Sequence, residues 1–419
     1  MLHEPCAKCG RTLLTLRQGA SREAMRGSAP LCSVPGCPLV EKVLGFAAPK
    51  VKGLELHGPS PPSVFVGRHG YPEVAMGPLL PATPESAPVL SDSPSEWKGL
   101  DIATILALRA RLYRSKSPVR VDVAAASRAL DASRELAMAA RPVDAEVTLK
   151  KPLRVAPDAQ VDAFAAPMGP SVDVVDARVL SNPSVPRKVD ALVSDVHADA
   201  ATAVGELYGA GIPTHHVQRL LSVGLLGEGT RRRLVPTRWS ITATDDILAK
   251  QMIEEVKELG ILDAPVVHSG DLFGNYFQIL LLPRPWSYEM IEAWQGEDGR
   301  WGMGHDAEGH RGRTAYADNI AGGYYAARLP VLEHLRRVRK QAAVFVHREI
   351  TDEYWAPLGV WVIREAVKAA MESKGLVFGD VESAVRHMLR RSRDREWLRI
   401  AALPREARVQ RTLREFGSE

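Results

Sequence analysis

Asparagine is almost missing from this chain of 419 residues, which has only Asn182, Asn275 and Asn319. Beside plentiful arginine and proline, that scarcity leans towards a heat-adapted or GC-rich source. No run approaches eighteen apolar residues, which excludes a conventional membrane-spanning helix. The N-terminus has no signal-peptide core, so an intracellular, cytoplasmic location is expected. Cysteine is absent after residue 37, and no disulfide framework can brace the rest of the chain. There is no internal repeat and no long low-complexity segment, which argues against a solenoid. A net charge of only +4 excludes a polycation. The arginines are clustered instead, and clustered basic charge points to phosphate-bearing partners.

At 45% hydrophobic and 25% charged residues, the composition is that of a globular protein able to bury a large core. The four cysteines, Cys6, Cys9, Cys32 and Cys37, form two close pairs, C-x2-C and C-x4-C, separated by twenty-two residues. Two such thiolate pairs can each grip one edge of a zinc tetrahedron, which predicts a structural Zn(2+) module over residues 1–50. Four unrelated buried thiols are the alternative. His3 is a poor substitute ligand at a mobile terminus.

The densest concentration of chemistry runs from Gly227 to Lys250, GEGTRRRLVPTRWSITATDDILAK. Arg231, Arg232, Arg233 and Arg238 lead into Trp239, and Ser240–Thr244 alternates as a half-buried strand would. Thr244, Asp245 and Asp246 then read as the capped start of a helix. Arginine forks and helix N-termini both favour phosphate, so Arg231, Arg232, Arg233, Arg238, Trp239, Thr242, Thr244 and Asp245 are candidate nucleotide- or phosphate-binding residues. An exposed basic loop with an ordinary cap is the plainer reading. Arg68, between glycines in Gly67-Arg68-His69-Gly70-Tyr71, is a further candidate, although a plain hairpin turn explains it too.

The remaining segments predict short strands at Leu54–Leu56, Val64–Val66 and Val74–Met76, and helices at Asp101–Tyr113, Val123–Ala139 and Val189–Tyr208. Strands are expected at Val147–Val155, Val172–Leu180 and Ala342–Val346, and helices at Leu358–Ala370 and Val381–Ser392. His215 and His216 are adjacent on a helix, point about 100° apart and read as ordinary histidines. His305, Asp306 and His310 invite an acid–base or metal reading, but Trp286 to His310 reads better as a solvated loop. Arg386, Arg390 and Arg393 fall on one side of the last large helix as a basic stripe. Strands and helices without regular βαβ alternation predict an α+β fold with mixed sheets, in one body over residues 51–404.

Residues 405–419 read as a flexible charged tail. One helical turn there sets Leu413 beside Phe416 with Gln410 behind, the pattern of a tail peptide that docks on a sliding clamp such as PCNA. Gly417 stands where such peptides carry a second aromatic.

Five stretches together resemble the archaeal Nre family of DNA repair proteins: the cysteine module, SPPSVFVGRHGYP at Ser60–Pro72, RRRLVPTRWSITATDD at Arg231–Asp246, GGYYAARLPVLEHL at Gly322–Leu335 and PLGVWVIREA at Pro357–Ala366. The resemblance spans nearly the whole chain. It implies a part in repairing damaged DNA, with Cys6, Cys9, Cys32 and Cys37 as zinc ligands and Gln410, Leu413 and Phe416 as the clamp peptide. It transfers no catalytic residue. A nucleic-acid-binding repair factor tethered to the clamp is therefore expected. The alternative is an enzyme acting on a nucleotide or DNA lesion, with Trp239, Tyr324 or Tyr325 stacking a base.

Overall fold

On strand Val143–Leu149, Val143, Ala145, Val147 and Leu149 are buried while the residues between them are not, so one face of the strand seeks a core. That strand is second in a six-stranded sheet ordered Glu55–Ser60, Val143–Leu149, Ser171–Val179, Leu112–Arg120, Glu73–Pro81 and Val64–Val66. The register sets Leu56 opposite Val147 and Val147 opposite Ala177. Neighbours run antiparallel except Leu112–Arg120 and Ser171–Val179, which are parallel. Helix Arg128–Met138 starts at Ser127, whose hydroxyl accepts the Leu130 N–H at 3.2 Å, and it lies against strand Ser171–Val179.

The computed structural model describes residues 5–10, 29–32, 34, 37–44, 53–81, 93–122, 127–152, 159–295 and 300–409. The chain forms two compact units, one of residues 1–247 with 355–359 and the other of residues 248–354 with 360–419. The second unit holds another six-stranded sheet, ordered Trp301–Glu308, Ser287–Gln295, Ala343–Ile350, Asn275–Leu282, Val266–Leu272 and Leu376–Val377. Its one parallel pair among the described residues is Ser287–Gln295 with Ala343–Ile350, and helix Gly322–Val338 lies in the connection between them. On one face Val267, Leu280 and Phe345 pack with Met388 and Trp397 into a core.

The mixed α+β class stands, and several local expectations are corrected. Ser240–Thr244 is helix, part of Thr237–Lys257, and Asp245 is interior to it rather than at its start. Ser240, Ile241, Thr244, Asp245, Leu248, Ala249, Met252 and Ile253 are buried, a helical spacing that a five-residue window of alternation cannot separate from a strand. Trp286 to His310 contains a hairpin, Ser287–Gln295 with Trp301–Glu308, and not only a loop. Val189–Tyr208 is two helices, Arg187–Ser194 and Ala200–Gly209, the second capped by the Asp199 carboxylate. The segment after Pro404 begins as helix, since Ala402–Val409 is helical with Leu403 and Ala407 packed on the core. The boundary between the two units falls between Ile247 and Leu248, inside a continuous helix where no linker composition marks it. Among the described residues no helix is long and apolar enough to cross a membrane.

Candidate functional site

The N-terminal cysteines come together. Cys6 Sγ is 3.4 Å from Cys37 Sγ, Cys9 Sγ is 3.7 Å from Cys37 Sγ, and the three sulfurs lie within 4.8 Å of one another. Sulfurs held at about 2.3 Å from a central ion in a tetrahedron sit roughly 3.8 Å apart, so the triad fits a thiolate-bound cation. The N–H of Lys8 donates to Cys6 Sγ at 3.4 Å and that of Val34 to Cys32 Sγ at 3.5 Å, so both pairs have sulfur-directed backbone turns. The backbone N–H groups of Cys9 and Lys8 bring the Cys6 thiol down to about 6, while burial pushes the neighbouring Cys37 thiol up to about 12, so of these two only Cys6 is predisposed to the thiolate a metal requires. Cys32 is buried but is not part of the close triad.

In the first unit the turn that carries Arg68 meets the start of helix Thr237–Lys257. The Pro236 carbonyl accepts from the Trp239 and Ser240 N–H groups at 2.8 and 2.9 Å, which opens the helix. Thr237 Oγ1 accepts the Val66 N–H at 2.9 Å and ties strand Val64–Val66 to the first turn. Beyond it, Tyr71 reaches Trp239, ring centroids 5.4 Å apart at an interplanar angle of 54°. These rings remain 50% and 44% exposed, unusual for two large aromatics already in contact. The Val121 N–H donates to the Pro72 carbonyl at 2.9 Å and the Leu234 N–H to the Val121 carbonyl at 2.8 Å. That ladder sets the exposed Arg120 and Arg233 beside the turn; Asp122, paired with Arg120 at 3.0 Å, also feels the Arg233 charge.

The other candidates are deployed separately. Arg231 pairs with Glu228 at 3.0 Å on the surface. Arg232 donates to the carbonyls of Gly227, Val193 and Asp195 at 2.8, 2.8 and 2.6 Å, so its whole fork fastens the turn internally. Arg238 lies over Phe164, its guanidinium carbon 3.5 Å from the ring centroid. Thr242, Thr244 and Asp245 are buried inside the helix and do not form a hydroxyl-lined strand. Tyr324 and Tyr325 are buried and cannot offer a face to a base. His305 bonds Glu289 at 2.8 Å, whereas Asp306 accepts the N–H groups of Asn319 and Ile320 and pairs with Arg313, so no joint centre forms between them. Adjacent strand residues face opposite ways, which separates the two side chains. Arg386 pairs with Glu382, and Arg393 lies past the helix end at Arg391, so the expected stripe is broken. Gln410, Leu413 and Phe416 lie outside the described residues. Tyr71 is the ring sequence reasoning passed over; its sole signal was a place in the GRHGYP turn.

The family model described as archaeal Nre, N-terminal, matches residues 31–301, and the one described as archaeal Nre, C-terminal, matches residues 308–416. This chain belongs to the archaeal Nre family. Among its Nre relatives, the DNA repair protein NreA of Archaeoglobus fulgidus is 38% identical over 373 residues, covering 88% of this chain and 93% of the relative. The DNA repair protein NreB of the same organism is 37% identical over 395 residues, covering 92% and 97%. The DNA repair protein NreA of Haloferax volcanii is 37% identical over 345 residues, covering 79% and 82%. No solved structure matches the chain. Both exposed rings, Tyr71 and Trp239, lie within residues 31–301, which the N-terminal Nre model matches.

Proposed function

We propose that this Nre-family chain is a DNA repair factor that contacts nucleic acid through the Tyr71–Trp239 pair and its flanking arginines. The observation that carries the reading is the exposure of two touching aromatic rings, Tyr71 and Trp239, at a turn whose backbone hydrogen bonds adjoin the positions of Arg120 and Arg233. Flat exposed rings accept unstacked bases of any sequence, and guanidinium groups alongside them track the phosphates. The repair role in the names of the relatives supports it. In this reading Arg68 and Arg233 steer the strand, while Arg231, Arg232, Arg238, Thr242, Thr244 and Asp245 hold the platform in shape.

The cysteine triad, with Cys32 as fourth ligand, holds a structural Zn(2+) that orders the N-terminal module. The segment with Gln410, Leu413 and Phe416 recruits the protein to the sliding clamp. Tethering of that kind raises local concentration on DNA without strengthening any single contact. The deciding experiment is titration of single-stranded and duplex DNA at several salt concentrations, read by quenching of tryptophan fluorescence. Affinity that falls steeply with salt, with quenching lost in Trp239→Leu, supports the platform. A salt-independent response, or quenching unchanged in the variant, refutes it.

A further inference from the structure

The second unit contains a cavity of about 460 Å³ that neither the DNA-contact reading nor the family names address. Its size is within the roughly 300–1,000 Å³ of small-molecule sites. The sheet register builds it. Ser269 faces Gln278, and Gln278 faces His347; two residues along, Asp271 faces Tyr276, and Tyr276 faces Glu349. One step the other way on the same face are Val267, Leu280 and Phe345, the apolar core. The same three strands therefore change from hydrocarbon to hydrogen-bonding groups at the row where the cavity begins. Arg391, at the end of helix Val381–Arg391, and Arg393 just beyond it complete the lining.

The polar groups in this wall are incompletely used. Gln278 is 7% exposed and donates its amide to Met388 O at 3.2 Å and Ser392 Oγ at 2.8 Å, but its Oε1 has no partner. His347 is 1% exposed with no partner within 3.5 Å of either ring nitrogen, and the Asp394 carboxylate faces Nε2 from 3.8 Å. Buried polar atoms without partners are rare, because each forfeits its hydration for nothing in return. Here the two residues that carry them line a space of ligand size. Glu349 accepts the Asp394 N–H at 2.7 Å, and burial raises its carboxyl above the usual range. At the mouth Arg391 and Arg393 are exposed, and Arg393 lies over the Tyr276 ring at 4.5 Å.

We propose that this cavity binds a nucleoside monophosphate whose base carries an exocyclic amino group. An unused acceptor at depth requires a donor, and the amino group supplies it to Gln278 Oε1. The ring nitrogens of the base face His347 and Glu349. Tyr276 provides a flat wall for the heterocycle on the ring face away from Arg393, and the two guanidinium groups at the mouth match a phosphate, whose oxygens suit their forked donors. A free amino acid also joins a donor to an anion, but has no planar face for Tyr276. The proposal concerns a different unit from the DNA-contact reading and stands or falls without it.

The test is calorimetric titration of the full-length protein with AMP, GMP, CMP and UMP, with the corresponding nucleosides, glycine and inorganic phosphate as controls. At least one amino-bearing nucleotide binds one per chain. UMP, the matching nucleoside and phosphate each bind about tenfold or more weakly. Arg391→Gln combined with Arg393→Gln, at exposed positions where folding is retained, weakens the nucleotide about tenfold and leaves the nucleoside unchanged. Gln278→Met weakens amino-bearing nucleotides towards the level of UMP; thermal melting checks that it folds. The proposal is overturned if no mononucleotide binds, if phosphate or glycine binds as tightly as the best nucleotide, or if the arginine variant binds as wild type does. Trp239→Leu, run in parallel, leaves nucleotide binding intact, so failure of the DNA platform and failure of this site are told apart.

Discussion

Arg328 and Glu308 form an ion pair at 2.5 Å with their side chains 1% and 0% exposed, sealed between helix Gly322–Val338 and the edge strand Trp301–Glu308. Two ions taken out of water hold one another in place, and the guanidinium also lies 5.4 Å from the Tyr324 ring and 5.3 Å from that of Tyr325. Such a pair contributes little net stability compared with apolar packing, but removing one member strands the other.

Glu308→Gln and Arg328→Met are therefore each expected to lower the free energy of unfolding by about 3–5 kcal/mol. Denaturant titration measures it. A change below about 1 kcal/mol in both variants contradicts a sealed pair.

His216 is buried, and burial first, then the nearby Arg219 and His215 charges, lower its ring to about 3 from 6.5. A base whose folded pKa is depressed is neutral in the native state while the unfolded chain takes up a proton. Stability contributed by His216 is thus complete above about pH 6.5 and falls as pH drops towards 3, by roughly 1.4 kcal/mol per unit. Urea midpoints at pH 7 and pH 5 register the loss. His216→Gln flattens the slope across this window, and an unchanged slope counts against the assignment.

Metal analysis of the purified protein is expected to find one zinc per chain. Cys6→Ser, Cys9→Ser and Cys37→Ser each remove it, and Cys32→Ser lowers zinc affinity as loss of a fourth ligand should. Chelation at neutral pH exposes the N-terminal segment to protease while the rest of the chain stays resistant. Full zinc retention in Cys37→Ser contradicts a site at the thiol triad.

Trp239→Ala should weaken single-stranded DNA binding by about 1–3 kcal/mol, and Tyr71→Ala by a similar amount. The pair touches, so the double variant should lose less than the sum of the two. Neither ring is buried, and thermal stability should shift little in either variant.

A chain ending at Val409 keeps helix Ala402–Val409 and its contacts to the core. It should fold as the full chain does yet fail to bind the sliding clamp in a pull-down. Leu413→Ala with Phe416→Ala should have the same effect. Retained clamp binding in both places the contact elsewhere.

Sequence by itself determined much about this protein. Period-two alternation placed a strand at Val172–Leu180, one residue from the observed Ser171–Val179, Gly and Pro turns marked off Val64–Val66, close pairing of thiols picked out the metal-competent cysteines, and five motif blocks pointed to the family. These features are local, written in spacings of a few residues. Long-range placement was decided only in three dimensions. Trp239 meets Tyr71 because the Val66 N–H bonds Thr237, a contact across 171 positions that no window can register. The same folding draws Arg232 inward onto three carbonyls and leaves Arg233 outward, although the two are adjacent and chemically identical. The cavity needs Ser269, Gln278 and His347 from three separate strands in one cross-strand row. Its existence depends on register, and register is set when distant apolar residues find a common core.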